Sequence, residues 1–137
     1  MEQKKFMDIS RIKEDTELTV ANTGGFHVGD YIVIQEKVDG SNSAIAYDKE
    51  TNKLVAFSRR QTLDYNNTLN GFWNWVQTLA VEPFSKYPNY VFFMEWLTKH
   101  TIKYIPEAYG KSYFYDVYDK RMNVICLNQR LRDLLTN

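Results

Sequence analysis

The segment SAIAYDKETNKLVAF (residues 43–57) predicts a β-hairpin more directly than any other part of the chain. Its two ends, Ser43–Tyr47 and Lys53–Phe57, are short and rich in apolar side chains, and the polar residues DKETN join them. Two such segments on either side of a short polar connection are typical of antiparallel strands. The hairpin therefore indicates a domain with a mostly antiparallel sheet.

After the hairpin the spacing of apolar residues changes from strand-like to helical. The residues with helical spacing are Leu69, Phe72, Trp73, Val76 and Leu79. Asn67 or Thr68 is available as the N-cap of this helix. The two prolines of EPFSKYPN (residues 82–89) are then expected to end it, because proline cannot continue a helix.

The remainder of the chain predicts two more strands and a second helix. Tyr90–Trp96 and Ser112–Tyr118 are rich in aromatic and β-branched residues and predict buried strands. A terminal helix would begin near Cys126, a small buried hydrophobe. Its apolar face consists of Leu127, Leu131, Leu134 and Leu135. The order of elements predicts an α+β fold, with helices packed on the sheet, in a single domain over residues 1–137.

Before the hairpin, NTGGFHVGD (residues 22–30) predicts a loop and Tyr31–Gln35 a short apolar strand. Lys37 follows at the end of that strand, within QEKVDGSN (residues 35–42). A K-x-D-G pattern is weak by itself, because a solvated lysine before an Asp-Gly turn has the same sequence.

Composition narrows the classes of function. The 17 basic and 17 acidic residues cancel, so affinity for nucleic acid would have to come from a local patch. A single cysteine excludes an internal disulfide and a cysteine-based zinc cluster. Without a signal peptide or an apolar run long enough to cross a membrane, we expect a cytoplasmic protein with no membrane partner. The high aromatic content, 15%, suits a packed core or a pocket for a planar base.

Four motifs in order extend the K-x-D-G pattern. They are EKVDGSN (residues 36–42), FSRR (57–60), FFMEW (92–96) and YFYDVYD (113–119). Together they resemble the motifs of the covalent nucleotidyltransferases, which include polynucleotide ligases and mRNA capping enzymes. The chain looks most like RNA ligases of the RNA ligase 2 type and their phage relatives. Its segment EWLTKHTIKY (95–104) also resembles the segment that follows the glutamate in the phage members. The resemblance implies a partial nucleotidyltransferase (ATP-dependent ligase) domain.

The resemblance implies that Lys37 is a catalytic nucleophile. In this family a lysine attacks the α-phosphorus of ATP with the help of Mg²⁺, forming lysyl-AMP, and an RNA 3′-hydroxyl is then sealed to a 5′-phosphate. An ordinary lysine has a pKa of about 10.4 and is protonated at pH 7. Nearby cations, desolvation or a metal ion would have to lower the pKa of this amine.

The resemblance also implies which residues bind ATP. They are Gln35, Glu36, Val38, Gly40, Asn42, Arg59, Glu95 and Tyr115. Gly40 would let backbone and nucleotide approach closely, and Tyr115 would stack on adenine. Glu95 would bind ribose hydroxyls or the metal ion, the latter through water. Asp39 is expected only to brace its turn.

Four of these residues also have a structural alternative. Asn42 could be a turn residue, Arg59 an exposed charge, Glu95 part of a core salt bridge and Tyr115 a core aromatic. Weaker candidates for contacts with the substrate are Arg60, Lys99 and His100, and His27 is more typical of a structural or surface residue.

Two further motifs of the family, a strand with a metal-binding glutamate and a K-x-K-like segment, do not occur after Asp119. We therefore expect the N-terminal portion of an adenylyltransferase domain with weak or no activity alone, needing a missing C-terminal ligase segment or a partner chain. RNA ends or a nicked duplex would be the substrate. The alternatives are a non-catalytic nucleotide- or nucleic-acid-binding module, a capping enzyme, and a DNA ligase, against which Asn42 argues.

Overall fold

The computed structural model describes residues 1–6, 29–31 and 34–126. The chain forms two compact units, one of Met7–Lys37 and one of Met1–Phe6 with Val38–Asn137. In the smaller unit, the described positions of the predicted strand 31–35 are exposed and adopt no strand conformation, so the prediction is wrong there. Ile32, Val33 and His27 lie outside the described residues. The assignment of a single domain stays a prediction.

The larger unit is built on a five-stranded sheet in which all neighbouring strands are antiparallel. The strands are β1 (Ser41–Asp48), β2 (Lys53–Ser58), β3 (Tyr90–Leu97), β4 (Lys111–Asp119) and β5 (Val124–Cys126), in the order β2-β1-β3-β4-β5. The helices are α1 (Phe72–Gln77), α2 (Glu82–Ser85) and a 3₁₀ turn at Pro106–Ala108. This architecture confirms the predicted α+β class with a mostly antiparallel sheet.

The predicted hairpin is present and is slightly longer than the sequence indicated. Ala44 pairs with Phe57, and Asp48 pairs with Lys53 at the turn. The Asp48 carboxylate accepts hydrogen bonds from the backbone N–H of Glu50 (3.1 Å) and the hydroxyl of Thr51 (2.9 Å). These bonds lower the pKa of Asp48, the one from Glu50 most strongly. The polar connection therefore closes the turn with its own side chains.

Helix α1 begins later than its apolar spacing predicted. Leu69, Asn70 and Gly71 have positive φ angles of 51°, 53° and 89°, which a right-handed helix cannot accommodate. Gly71 is the N-cap and no side chain caps the helix, so neither predicted N-cap holds that position. Thr68 instead stabilises the turn before the helix, where its Oγ1 accepts from the N–H of Gly71 at 3.2 Å.

The segment EPFS, where the prolines were expected only to end a helix, forms the single turn of α2. Pro83 lies in the first turn, where the N–H that proline lacks would have no partner within the helix. Helix α1 ends at Gln77, so the prediction that it does not continue through residues 82–89 is confirmed, and the separate turn of α2 is an element that the sequence did not predict.

Both faces of the sheet carry packed apolar side chains, because successive side chains of its central strands point to opposite faces. Phe92, Met94 and Trp96 of β3 face α1, where they join Phe72 and Val76. The opposite face carries a second cluster, which consists of Ala44, Ala46, Phe57, Val91, Phe93 and Tyr118. Since side chains alternate along a strand, Glu95 lies on the same face as Phe93.

Strand β4 contains a β-bulge that the sequence did not predict. Phe93 pairs with Asp116 and Met94 with Phe114, so Tyr115 is an additional residue without a partner in β3. Its ring packs against the second cluster. The strand is buried at residues 117–119 and half-buried or exposed before them, so the predicted strand is present but the predicted burial holds only at its end.

Strand β5 replaces the predicted start of a helix. Cys126 pairs with Val117 as the last residue of β5. Three residues are too few for periodicity to reveal a strand. The predicted terminal helix, residues 127–135, lies outside the described residues. In the part of the chain that the structure describes, no helix is long and apolar enough to cross a membrane.

Candidate active site

An open cleft of about 460 Å³ lies at one end of the strands β1, β2 and β3. The residues that line it are Gly40, Ser41, Asn42, Ser58, Arg59, Arg60, Gln61, Leu69 and Glu95. The topology explains why they meet, since β1 begins where β2 and β3 end, and Asn42 pairs directly with Glu95. Of the site residues predicted from the motifs, the cleft brings together Gly40, Asn42, Arg59, Arg60 and Glu95.

Gly40 is fixed against β3. Its N–H donates to Oε1 of Glu95 at 3.3 Å. A Cβ atom at this position would lie 2.5 Å from the carbonyl oxygen of Trp96 and 3.0 Å from Cγ of Glu95. We predicted that glycine is needed here so that a nucleotide can approach the backbone. The structure shows a second reason, because β3 lies too close for any side chain at this position.

Asp39, which was expected only to brace its own turn, bonds to a loop that is distant in the sequence. Its N–H donates to the hydroxyl of Tyr104 (2.9 Å), and its Oδ2 accepts from the N–H of Ile102 (2.8 Å). Tyr104 is in turn held by Tyr109, whose hydroxyl accepts from its N–H at 2.9 Å. Asp39 therefore links the start of β1 to the loop between β3 and β4.

Asn42 and Tyr115 connect β1 to the bulge of β4. Nδ2 of Asn42 donates to the hydroxyl of Tyr115 at 2.5 Å. The ring of Tyr115 lies edge-on against Phe6, with centroids 5.2 Å apart. Burial raises the pKa of Tyr115, the negative charge of Glu95 raises it further, and the positive charge of Arg59 partly offsets both. The phenol is therefore protonated at neutral pH, and stacking of its ring on adenine stays a prediction.

Arg59 and Arg60 occupy a tight turn after β2 and are both exposed. The N–H of Ser58 donates to the carbonyl of Gln61 at 2.9 Å. Oγ of Ser58 accepts from the N–H groups of Gln61 (3.2 Å) and Arg60 (3.4 Å). The turn therefore holds two guanidinium groups at the cleft, and a guanidinium can donate paired hydrogen bonds to a phosphate.

Asp116 lies opposite Phe93 on the face that carries Glu95. Burial raises the pKa of its carboxyl to about 6, against an opposing hydrogen bond from the N–H of Val117 at 3.1 Å. This group belongs to the fourth motif but was not among the predicted site residues.

Several predicted residues do not line this cleft. Lys99 and His100 are exposed in the loop after β3, where Lys99 borders a separate cleft formed with Thr98, Pro106, Tyr109 and Gly110. Val38 is half-buried before Gly40. Gln35, Glu36 and Lys37 belong to the smaller unit and are exposed. Along the chain, Lys37 precedes Gly40 by three residues.

Leu69 lines the cleft and was missed, because its spacing placed it on the predicted helix. The dipeptide Asn70-Gly71 that follows is a turn signal, and it would have separated Leu69 from the helix.

The side chains that line the cleft suit Mg²⁺, which keeps water and phosphate ligands, better than a metal ion that is coordinated only by protein side chains. In the described ranges, no three or more His, Cys, Asp or Glu side chains come together to hold a metal ion. Mg²⁺ commonly uses one or two carboxylates, water and substrate phosphates. Glu95 can supply a carboxylate of this kind.

Comparison with known proteins gives one match. The model of the RNA ligase family matches residues 30–136, well over half of the 137 residues. No curated protein and no solved structure is significantly similar to the chain. The matched range includes the whole lining of the cleft and the Lys37 motif. The chain belongs to the RNA ligase family.

Proposed function

We propose that the protein is an ATP-dependent RNA ligase in which Lys37 carries AMP between ATP and an RNA 5′-phosphate. The observation that carries this proposal is the cleft, which gathers Asn42, Arg59 and Glu95 around Gly40. Membership of the RNA ligase family supports ligase chemistry and RNA as the substrate.

The reaction has three steps. The unprotonated amine of Lys37 attacks the α-phosphorus of ATP; an N–P bond forms, the bond to the bridging oxygen breaks, pyrophosphate leaves, and the nitrogen loses a proton to solvent. An oxygen of the RNA 5′-phosphate then attacks the same phosphorus; the N–P bond breaks, and the lysine nitrogen takes up a proton as it leaves. Finally, the RNA 3′-hydroxyl attacks the activated 5′-phosphate, the phosphodiester forms, AMP leaves, and the hydroxyl proton goes to solvent.

The cleft residues support these steps through charge and orientation. Arg59 and Arg60 bind phosphate oxygens through paired hydrogen bonds from their guanidinium groups. Asn42, oriented by its hydrogen bond to Tyr115, contacts the sugar or a phosphate. Glu95 accepts from the ribose hydroxyls.

The RNA ligase family generally uses a divalent metal ion with ATP, and the residues present are compatible with Mg²⁺. Glu95 would hold the ion, directly or through water, together with the phosphates. When bound, Mg²⁺ supplies positive charge that offsets the charge of the phosphate oxygens.

The intact mass of the chain after incubation with ATP and Mg²⁺ tests the proposal. We expect any adenylate that this chain acquires alone to be substoichiometric, to form equally on Lys53→Ala, a control at the far end of the hairpin, and to be absent from Lys37→Ala. An adenylate retained by Lys37→Ala would exclude this lysine as the nucleophile. Binding of labelled ATP without any transfer would favour a non-catalytic nucleotide-binding module.

The choice of substrate needs a second measurement. Nicked duplexes with RNA or DNA ends, offered with either ATP or GTP, separate the RNA ligase from a DNA ligase and from a capping-type enzyme. Because we expect little sealing by this chain alone, the assay includes a complementing C-terminal ligase segment; we then expect RNA ends to be sealed with ATP, and preferential sealing of DNA ends would contradict the proposal.

A further inference from the structure

We propose that Leu69 forms the apolar wall of the cleft and contacts the sugar and base of the bound nucleotide, and that Trp96 holds it there as a positioning residue. This inference rests on the proposed function, because it assumes that the cleft binds a nucleotide. It adds a segment outside all four sequence motifs to the residues that recognise the nucleoside.

The first observation is the chemistry of the lining. Among the described residues that line the cleft, Leu69 is the only one with an apolar side chain, while Asn42, Arg59, Arg60 and Glu95 are polar or charged. A nucleotide has a charged phosphate end and a largely apolar nucleoside end. The arginines suit the phosphates, so the apolar surface at Leu69 suits the nucleoside.

The second observation is the backbone of this segment. Leu69 has a φ of 51°, in the left-handed region that leucine rarely adopts. Asn70 and Gly71 continue in the same region, with φ values of 53° and 89°. Such a conformation persists only when surrounding contacts enforce it, and it is found frequently at ligand-binding sites.

The third observation is a contact from the sheet that helps to hold this segment. The indole Nε1–H of Trp96 donates to the carbonyl oxygen of Asn70 at 3.1 Å. The carbonyl oxygen of Trp96 also limits the space at Gly40, which lines the same cleft. Trp96 is buried and packs against Phe72 and Trp75, with ring centroids 5.6 and 5.7 Å away. One rigid side chain and its backbone therefore position two walls of the cleft.

Paired ligands separate the role of Leu69 from a general effect on the cleft. Titration calorimetry would measure ATP, which has a nucleoside, and inorganic tripolyphosphate, which has only the phosphates. In Leu69→Asn the new residue tolerates the left-handed conformation but is polar. We expect this variant to bind ATP about tenfold more weakly and tripolyphosphate unchanged. Leu69→Met retains an apolar side chain and should bind ATP within about threefold of the wild type.

Trp96→Phe tests the positioning role. It removes the indole N–H and keeps an aromatic ring against Phe72, so we expect weaker binding of ATP with tripolyphosphate unaffected. Trp75→Phe is the matched control, because Trp75 belongs to the same aromatic cluster, whereas the hydrogen bond to Asn70 comes from Trp96. Its melting temperature should fall by a similar amount while its affinity for ATP stays that of the wild type.

The outcomes distinguish this inference from the proposed function. A wild type that binds neither ligand contradicts the proposed function, and the inference falls with it. A wild type that binds ATP, with Leu69→Asn unchanged or equally weakened toward both ligands, contradicts the inference alone. Loss of ATP affinity in Trp75→Phe as large as in Trp96→Phe would show that Trp96 acts through core packing only.

Discussion

At the scale of single residues, glycine at position 40 is required by a neighbouring strand. The start of β1 approaches β3 so closely that even one methyl group would overlap the carbonyl oxygen of Trp96, at 2.5 Å. The nearest neighbouring atom belongs to the backbone, so it cannot move aside as the end of a flexible side chain would. The Asp-Gly pair, which has the sequence of a turn, is therefore also a packing contact.

We expect Gly40→Ala to lower the free energy of unfolding by about 2 kcal/mol, since overpacking forces the backbone to shift. Chemical denaturation would measure it. Gly71→Ala is the comparison, because that position has a positive φ of 89° but nothing within 4 Å of an added Cβ. It should cost about 1 kcal/mol, from backbone strain alone. Equal losses in the two variants would show that the clash at Gly40 is relieved at no cost.

Asp116 leads to a prediction about pH. Its pKa of about 6 in the folded protein lies above its ordinary value of 3.8. Between about pH 4 and pH 6 the folded protein holds a proton that the unfolded chain releases, so the contribution of this group to stability falls as the pH rises. Asp116→Asn should therefore stabilise the protein at pH 7.5 by about 1 kcal/mol, because solvent still screens a half-buried carboxylate.

Thermal or urea unfolding of Asp116→Asn at pH 4 and pH 7.5 would check this sign. At pH 4 the variant and the wild type should have nearly equal stability. A stabilisation at pH 4 that disappears at pH 7.5 would contradict the raised pKa.

At the scale of elements, α1 depends on tertiary contacts. It has only six residues and no side-chain cap, and isolated helices of that length are not stable in water. Phe72 and Val76 are its buried residues, and Phe72 contacts both Trp75 and Trp96. The helix is therefore held in place by the sheet face that it covers.

Phe72→Ala is expected to lower the free energy of unfolding by about 3 to 5 kcal/mol, because a large buried ring is lost and a cavity remains. Asn74→Ala, at an exposed position of the same helix, should change it by less than about 0.5 kcal/mol. Denaturation of the two variants side by side gives the comparison. Similar losses would show that α1 contributes through its exposed face as well.

The bulge in β4 has a consequence for the candidate site. Without the additional residue, the segment before Tyr115 would shift by one position, and each of its side chains would move to the other face of the sheet. With it, Tyr115 reaches Asn42 across β3 while Phe114 remains with the first core cluster. The bulge thus lets one strand serve both the core and the candidate site.

At the scale of the whole molecule, the charge balance limits how RNA can be held. With 17 basic and 17 acidic residues, no overall field attracts a polyanion, so binding depends on local cations such as Arg59 and Arg60. Each phosphate contact with a single strand contributes about 0.7 to the slope of log K against log salt.

We expect the double variant Arg59→Ala/Arg60→Ala to reduce that slope for single-stranded RNA by about 1.4, if each arginine contacts one phosphate. Fluorescence anisotropy at several salt concentrations would measure it. Lys49→Ala/Lys53→Ala removes equal charge at the opposite end of the hairpin and should leave the slope unchanged. The same reduction in both variants would mean that RNA responds to total charge and not to the cleft.

Local patterns in the sequence were enough to predict the β1–β2 hairpin, the two long strands and the Glu95 motif. Alternating apolar residues and short polar turns act between neighbours in the chain, so they can be read without knowing the rest of the fold. The same holds for the four motifs, because their residue types and order are sufficient to indicate the RNA ligase family. Local patterns did not reveal β5, α2 or the late start of α1.

The remaining features depend on contacts between residues far apart in the sequence. Gly40 meets Trp96, Asn42 meets Tyr115, and the left-handed turn at Leu69 is held by the indole of Trp96. No spacing rule encodes such meetings, because each arises only when β1, β3 and β4 lie side by side. The sequence alone therefore determines which chemical groups the cleft contains. Only the packing of β1, β3 and β4 against one another determines the shape of the cleft.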